Sequence, residues 1–170
     1  DPIYYDIAFS WDISHEIKCL EHFFKLVPFE VKNILEPACG TGRFLTELPK
    51  YGYSITGYDS NAEMVKYASK KLEDLNLKNT SKIELGDMRY KEFNEKFDAA
   101  FNLINSIGYL LTDNDIISHL NNIFKHLKKD SIYIIQLNCA YNKPVSYNSG
   151  EWTLEKYGVS VTSTWYIEKE

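Results

Sequence analysis

Three things are scarce in this sequence: cysteine, long apolar runs and an excess of basic charge. The three cysteines (Cys19, Cys39 and Cys139) stand far apart without C-x-x-C spacing, so neither a disulfide framework nor a zinc site is predicted. No apolar run approaches the ~20 residues of a membrane span. The net charge of -5 gives no electrostatic reason to expect a nucleic-acid partner. We therefore predict a cytoplasmic protein without a membrane, nucleic-acid or metal partner.

The 170 residues suit one domain in which strands alternate with helices. Apolar runs predict strands at 33–36, 54–58, 83–85, 97–103 and 132–137. Helical spacing predicts helices at about 15–26, 43–50, 62–75 and 113–127, with Ser14, Asn61 and either Asp113 or Asn114 as caps. The stretch 1–12 is expected to be irregular and 128–130 to be a turn. The alternation predicts an α/β fold, a doubly wound, mostly parallel sheet with helices on both faces.

The composition changes after the fifth predicted strand. Residues 142–150 are rich in Asn, Ser, Pro and Gly and indicate a linker. Residues 151–170 alternate between apolar and polar on either side of Tyr157-Gly158, which predicts a C-terminal antiparallel β-hairpin. We therefore divide the chain into 1–138, with an aromatic and helical N-terminal lid, and 139–170. The hairpin is either the start of a substrate cap, with the native chain continuing past Glu170, or the terminal edge of the main sheet.

The segment 34–45 (ILEPACGTGRFL) has the pattern of a strand, a tight loop and a helix. Gly40 and Gly42 lack a Cβ, so the loop can adopt positive φ and a ligand can approach it closely. The helix that follows would direct free N–H groups at that ligand. Glu36 places a negative charge at the end of the strand. This charge suits a ligand with a positive group or hydroxyl donors, and it suits a pyrophosphate poorly.

Polar residues also mark the ends of the next three predicted strands. Asp59 follows the second strand, about as far beyond the glycine loop as the carboxylate that reads ribose hydroxyls in nucleotide folds. Asp87 and Met88 follow the third, where a carboxylate can accept from an adenine amino group and a thioether can pack on the ring. Asn102 ends the fourth. Because the carboxyl ends of parallel strands meet at one edge, these residues predict a site for a nucleoside with a positively charged tail.

Four segments resemble, in order and spacing, the class I S-adenosylmethionine-dependent methyltransferases of the small-molecule type: EPACGTGRF, GYDSNAEM, GDMRY and FDAAFNLINSIGYLLTDNDIISHLNNIFKHLKKDSIYIIQL. The resemblance covers about 34–137. It implies a Rossmann-like sheet with strand order 3-2-1-4-5 and S-adenosyl-L-methionine as cofactor. The implied reaction is in-line transfer of a methyl group to a small-molecule substrate. Ala38 is a departure, because the family often has glycine there.

The resemblance also implies a role for each matching residue. The first strand end and the glycine loop would hold the methionine portion, the fourth strand end would lie beside the sulfonium, and the second and third would take ribose and adenine. The residues are, in that order, Glu36, Ala38, Gly40 and Gly42, then Asn102, then Asp59, Ser60 and Met64, then Asp87 and Met88.

Two residues outside these strand ends are also candidates for the cofactor site. Tyr5 can fold over the cofactor and face the sulfonium through a cation–π contact, or its ring can simply pack the first helix onto the core. Arg43 can pair with the cofactor carboxylate or with a surface acid.

No catalytic dyad is recognisable, and a base is needed only if the methyl acceptor must lose a proton. The candidates are Tyr5, His15 and Tyr109, followed by Tyr4 and Asp6. His15 and His22, like His119 and His126, stand seven residues apart, whereas a helical metal pair needs i,i+4 spacing. We expect His119 and His126 on solvated helix faces.

Three other functions stay open at this point. A nicotinamide-dependent oxidoreductase is disfavoured by Glu36 and by Leu45, which stands where its fingerprint needs a small residue. A cofactor-binding module without methyl transfer is permitted by the missing base. A nucleic-acid or protein methyltransferase is disfavoured by the acidic balance and by NLINSIGY after the fourth strand, where many DNA amino-methyltransferases have (Asp/Asn)-Pro-Pro-aromatic. Monomer and homodimer are equally compatible with the sequence.

Overall fold

A computed structural model describes residues 1–137 and 149–166 of the chain. The proposed division at 138/139, Cys139 and nearly all of the predicted linker lie outside the described residues. Among the described residues, no helix combines the length and apolar character needed to cross a membrane.

Five strands form one parallel sheet in the order β3-β2-β1-β4-β5. They are β1 (Asn33–Pro37), β2 (Ser54–Asp59), β3 (Ser81–Leu85), β4 (Phe97–Asn102) and β5 (Leu127–Ile135). The doubly wound fold and its strand order are therefore confirmed. The order in which strands are added to the sheet reverses at β1, which pairs with β2 on one side and β4 on the other. Open α/β sheets bind their ligands at such a switch point.

Helices cover both faces of the sheet. They are α1 (Pro2–Ala8), α2 (Ser14–Phe24), α3 (Arg43–Glu47), α4 (Ala62–Asp74) and α5 (Asp113–His126). Ile34 and Leu35, adjacent in β1, belong to separate buried clusters because successive strand residues point to opposite faces. The Ile34 cluster includes residues of α2, α3 and α4, and the Leu35 cluster includes Ile123 of α5.

The expectation of an irregular N-terminus is wrong, because α1 is a helix. Asp1 caps it by accepting a hydrogen bond from the backbone N–H of Ile3 at 2.9 Å. Pro2 occupies the first turn, where its missing N–H costs nothing. The Asp-Pro pair was thus a helix start signal, and the aromatic residues around it obscured the signal.

Two predicted caps and one predicted turn are also corrected. Ser14 is the first residue of α2 and bonds to Asp12 instead of capping the helix. Thr112 caps α5 by accepting from the N–H of Asp115 at 3.1 Å, so neither Asp113 nor Asn114 does. The expected turn at 128–130 lies within β5, where Asp130 has φ of 62° and the pairing with β4 shifts register. A bulge therefore takes the turn-forming residues into the strand.

The predicted hairpin is present as β6 (Ser149–Lys156) and β7 (Val159–Tyr166). Tyr157 and Gly158 both have positive φ, as a tight two-residue hairpin turn requires. The two strands form a sheet of their own and pack against α1, where the indole Nε1 of Trp152 donates to the carbonyl of Ala8 at 2.7 Å. A role as a substrate cap stays a prediction.

Candidate functional site

The glycine loop between β1 and α3 has a left-handed backbone at three positions. Ala38, Gly40 and Gly42 have φ of 54°, 54° and 72°. Glycine adopts this conformation freely, whereas alanine pays about 1–2 kcal/mol for it. The strain at Ala38 lies at the carboxyl end of β1, where strained backbone is typical of functional loops.

Asp59, at the end of β2, fixes this loop. Its Oδ2 accepts from the backbone N–H of Gly40 at 2.9 Å, and its Oδ1 accepts from that of Asn61, the cap of α4, at 2.9 Å. Each carboxylate oxygen can accept a further hydrogen bond. Asp59 therefore holds the loop and keeps capacity for hydroxyl donors of a ligand.

A small cavity of about 30 Å³ lies beside the glycine loop. Glu36 and Arg43 line it, and Tyr5 and Phe9 also border it. This volume is about that of one water molecule. A larger ligand group would therefore need lining side chains to move.

Three buried polar atoms in this region have no hydrogen-bond partner: Glu36 Oε2, Arg43 Nη2 and Asn102 Oδ1. Asn102 is held in place because its Nδ2 donates to the carbonyl of Pro37 at 3.0 Å. An unsatisfied buried polar atom costs about 1–3 kcal/mol, so three of them near the end of β1, at the start of α3 and at the end of β4 indicate a place built for a ligand. Two acceptors and one guanidinium donor complement an ammonium and a carboxylate.

Burial dominates the electrostatics of this cavity. It raises the pKa of Glu36 well above its usual range, although the charge of Arg43 opposes the shift. Burial lowers the pKa of Arg43, whose Nη1 donates to the carbonyl of Phe9 at 2.6 Å. Burial, followed by the nearby Tyr109, raises the pKa of Tyr5 to about 12. Burial therefore disfavours the ionised form of Glu36 in the free protein, and a positively charged ligand group beside it would favour that form.

A second cleft, of about 350 Å³, lies at the ends of β2 and β3. Among the residues that line it are Ala38, Ser60, Asp87, Met88 and Tyr109. Since Ala38 also borders the small cavity, both spaces border the glycine loop. A ligand with an adenosine end and an amino-acid end matches this pair of spaces.

Asp87 in the second cleft is already paired. Arg89 donates to it through Nε at 2.9 Å and through Nη2 at 2.6 Å, and its Nη1 reaches Asp115 of α5 at 2.7 Å. The hydrogen bonds from Arg89 lower the pKa of Asp87 and keep it ionised. Arg89 is a site residue that the sequence interpretation missed, although it stands two positions after Asp87.

The remaining predicted site residues fall into two groups. Gly40, Gly42 and Asp59 shape the glycine loop, through two left-handed residues and the bond from Gly40 to Asp59, but line neither space themselves. Met64 lies half-buried on the first turn of α4, and His15 is exposed on α2. Neither Met64 nor His15 lines the cavity or the cleft.

Ile104 also lines the small cavity, and nothing in the sequence indicated it. It follows β4 with φ of 56°, a conformation that is rare for a β-branched residue. The side-chain oxygen of Gln136 accepts from its N–H at 3.0 Å and stabilises this conformation. Backbone strain thus occurs at the ends of both β1 and β4, on the two sides of the cavity.

The methyltransferase-domain family matches residues 34–130, which are more than half of the chain. The chain belongs to this family. The matched range begins in β1 and ends in β5, so it contains the glycine loop and the residues after β2, β3 and β4. The resemblance inferred from the four sequence segments is confirmed, and a nicotinamide dehydrogenase is excluded as the family.

Two curated relatives and one solved structure illustrate the similarity. The Bacillus subtilis (strain 168) protein YqeM is 31% identical over 113 residues, 66% of this chain and 44% of that protein. The Streptomyces venezuelae dTDP-3-amino-3,4,6-trideoxy-alpha-D-glucopyranose N,N-dimethyltransferase is 28% identical over 107 residues, 63% of this chain and 43% of the relative. The chain thus spans less than half the length of these two relatives.

The solved structure shows the same fold. It is the sugar N-methyltransferase KedS8 from Streptoalloteichus sp ATCC 53650, which superposes with a TM-score of 0.76 at 19% identity. The superposition covers 94% of this chain and 62% of that one.

Proposed function

We propose that the protein transfers a methyl group from S-adenosyl-L-methionine to an amine of a small-molecule substrate. The observation that carries the cofactor assignment is the trio of unpartnered buried atoms on Glu36, Arg43 and Asn102. A methionine tail has one ammonium and one carboxylate, which would satisfy these acceptors and this donor.

The described residues fit the rest of the cofactor as well. Asp59 would accept from the ribose hydroxyls while it holds Gly40. Met88 would pack on the adenine ring in the second cleft, and Asp87 would accept from the exocyclic amino group with the oxygen capacity that Arg89 leaves. Tyr5 would cover the methionine end.

When bound, the cofactor supplies a methyl group on a positively charged sulfur, which is a good leaving group. The protein therefore has to position the acceptor and exclude water. Tyr5 is a poor general base near neutral pH because its pKa is raised to about 12. A neutral amine already carries its lone pair, so the carbon–nitrogen bond can form before any proton leaves, and the product ammonium can then lose its proton to water.

The relatives support an amine as the acceptor. The Streptomyces venezuelae relative is named an N,N-dimethyltransferase of an amino sugar, and KedS8 is named a sugar N-methyltransferase. An amino sugar is therefore the substrate class we propose first. The cytoplasmic location and the monomeric or homodimeric state stay predictions.

Two measurements test this function. Isothermal titration with S-adenosylhomocysteine should show binding, and Glu36→Gln should weaken it. Incubation with cofactor labelled in the methyl group and a panel of amino sugars, simple amines and matched hydroxyl compounds should label the amines. Failure to bind S-adenosylhomocysteine would remove the cofactor assignment. Binding without transfer to any acceptor would leave a cofactor-binding module, and labelling of hydroxyl compounds alone would contradict the amine.

A further inference from the structure

His119 lies in the middle of α5 and is fully buried, with a relative exposure of 0%. The expectation of a solvated helix face is therefore wrong for this residue. Its Nδ1 lies 2.9 Å from the carbonyl oxygen of Met88, and its Nε2 lies 2.7 Å from the hydroxyl oxygen of Tyr133 on β5. The ring thus bridges the sheet and the loop that follows β3.

The chemistry of the partners fixes the direction of both hydrogen bonds. A carbonyl oxygen can only accept, so Nδ1 of His119 must carry the hydrogen and donate to Met88. In the neutral ring Nε2 then has a free lone pair and accepts from the hydroxyl of Tyr133. Burial lowers the pKa of His119, which favours this neutral form. The carbonyl of Met88 therefore fixes the tautomer, and the hydroxyl of Tyr133 holds the ring in place by donating to the remaining nitrogen.

The Met88 loop is attached to α5 at two points. His119 forms a hydrogen bond with the carbonyl of Met88. Asp115 accepts a hydrogen bond from Arg89, which also donates to Asp87. Asp115 and His119 are four residues apart and lie on the same face of the helix. One face of α5 therefore positions Asp87 and Met88, which line the part of the second cleft where the adenine is proposed to bind.

We propose that His119, oriented by Tyr133, is a positioning residue that sets the wall of the adenine subsite through the Met88 carbonyl. The proposal rests on the proposed function, in which the second cleft takes the adenine of S-adenosyl-L-methionine. His119 does not touch the cofactor in this arrangement. It acts through the backbone of Met88.

Two conservative substitutions separate the two bonds. Asn places an amide nitrogen where Nδ1 stands, and Gln places an amide oxygen where Nε2 stands. His119→Asn should therefore keep the bond to Met88, whereas His119→Gln should lose it and keep the bond to Tyr133. We expect His119→Gln to weaken S-adenosylhomocysteine binding about tenfold, the loss that corresponds to one buried hydrogen bond, and His119→Asn to restore most of it.

His126→Gln is the matched control. His126 is also buried on α5, accepts from the N–H of Phe93 through Nε2 at 3.0 Å, and has Nδ1 at 2.8 Å from the carbonyl of Asn122. The substitution removes the same kind of donor from a ring whose hydrogen bonds go to Phe93 and Asn122, and not to Met88. It should lower the unfolding temperature as His119→Gln does and leave the affinity for S-adenosylhomocysteine within about twofold of wild type.

A second ligand locates the effect. 5′-Methylthioadenosine has the adenosine end without the amino-acid tail, so His119→Gln should weaken it by the same factor as S-adenosylhomocysteine. Nitrogen-15 NMR of the folded wild type should show His119 as the Nδ1–H tautomer. Tyr133→Phe removes the donor to Nε2 and leaves the bond from Nδ1 to Met88 in place, so it should shift the Nε2 resonance and weaken S-adenosylhomocysteine binding less than His119→Gln does. If a histidine variant does not fold, Tyr133→Phe and the wild-type spectrum decide the question.

The outcomes are distinct for the two proposals. If wild type and His126→Gln fail to bind S-adenosylhomocysteine, the cofactor assignment is wrong. If wild type binds and His119→Gln binds equally well, or if His119 is the Nε2–H tautomer, the positioning role is overturned while the cofactor assignment stands.

Discussion

The ring of Tyr5 lies against the glycine loop at Gly40, where a Cβ would stand 3.3 Å from Cε1 of the tyrosine. The backbone N–H of Gly40 donates a hydrogen bond to Oδ2 of Asp59 at 2.9 Å. Gly40 therefore links the N-terminal helix to the carboxylate of β2. A substitution at Gly40 would therefore affect both the contact with Tyr5 and the conformation of the glycine loop.

Gly40→Ala should weaken S-adenosylhomocysteine binding and destabilise the protein. The alanine would be strained at φ of 54° by about 1–2 kcal/mol, and its Cβ would press on Tyr5 at 3.3 Å. Gly52→Ala is the control, because Gly52 also has positive φ, 89°, with no atom within 4 Å of the added Cβ. Thermal unfolding and titration of both variants would separate backbone strain from crowding. Equal effects of the two substitutions on ligand affinity would contradict a role for the Tyr5 contact.

Glu36→Gln should stabilise the free protein above neutral pH and weaken the complex. The raised pKa of Glu36 means that its contribution to the stability of the free wild type is most favourable below the ordinary carboxyl pKa and is lost as the pH rises through the raised value. Glutamine does not ionise and so removes this loss. It also removes the charge that would meet the ligand ammonium, so affinity should fall at least about tenfold.

The proton balance of wild type checks the same assignment. If Glu36 ionises when the ligand arrives, binding of S-adenosylhomocysteine should release a proton. Calorimetry in two buffers of different ionisation enthalpy would detect the release, and Glu36→Gln should abolish it. A wild type that binds without releasing a proton would show that Glu36 keeps its charge state.

Asp6→Asn should destabilise the protein at neutral pH. Burial would raise the pKa of Asp6, but its bonds to Lys71 at 2.6 Å and Lys156 at 3.1 Å outweigh burial and lower it. The stabilisation is therefore present above the ordinary carboxyl pKa and is lost as the pH falls through the lowered value. We expect a loss of about 2–3 kcal/mol at pH 7, because the lysine ends keep some solvent.

Asp74→Asn offers a matched control for Asp6, because it removes the exposed i,i+4 pair between Lys70 and Asp74. Its effect should stay within about 0.5 kcal/mol. Urea unfolding of both variants from neutral pH down to pH values below the ordinary carboxyl pKa of about 3.9 would compare them. A pH-independent difference between wild type and Asp6→Asn would contradict the linkage.

Local patterns were sufficient to predict the sheet and the strand-end residues. Glu36 and Asp59 lie at the carboxyl ends of β1 and β2, and Asp87 comes two residues after β3, so the topology alone brings them to one edge of the sheet. The contacts of His119 and Arg89 could not be predicted in this way. They depend on which helix face meets which loop, and a period of 3.6 residues does not distinguish a buried polar position from a solvated one.

The chain's N-terminus shows a second limit of the sequence. Its aromatic residues suggested a lid over the cofactor site, but the position of α1 depends on contacts with the hairpin more than a hundred residues later. Trp152 contacts α1 through its bond to Ala8, and its ring lies 5.8 Å from that of Phe9. No local pattern near residue 5 encodes that contact, and tertiary packing alone determines it.

Trp152→Phe should therefore loosen α1 without unfolding the sheet. Phenylalanine keeps an aromatic ring beside Phe9 and loses the indole N–H that donates to Ala8 at 2.7 Å, a loss of about 1 kcal/mol. Hydrogen exchange of the α1 amides should become faster, and affinity for S-adenosylhomocysteine should change because α1 carries Tyr5. Trp165→Phe is the control on the same hairpin, since Trp165 is 44% exposed. Equal exchange rates in α1 for both variants would show that Trp152 does not hold α1, and with it Tyr5, against the glycine loop.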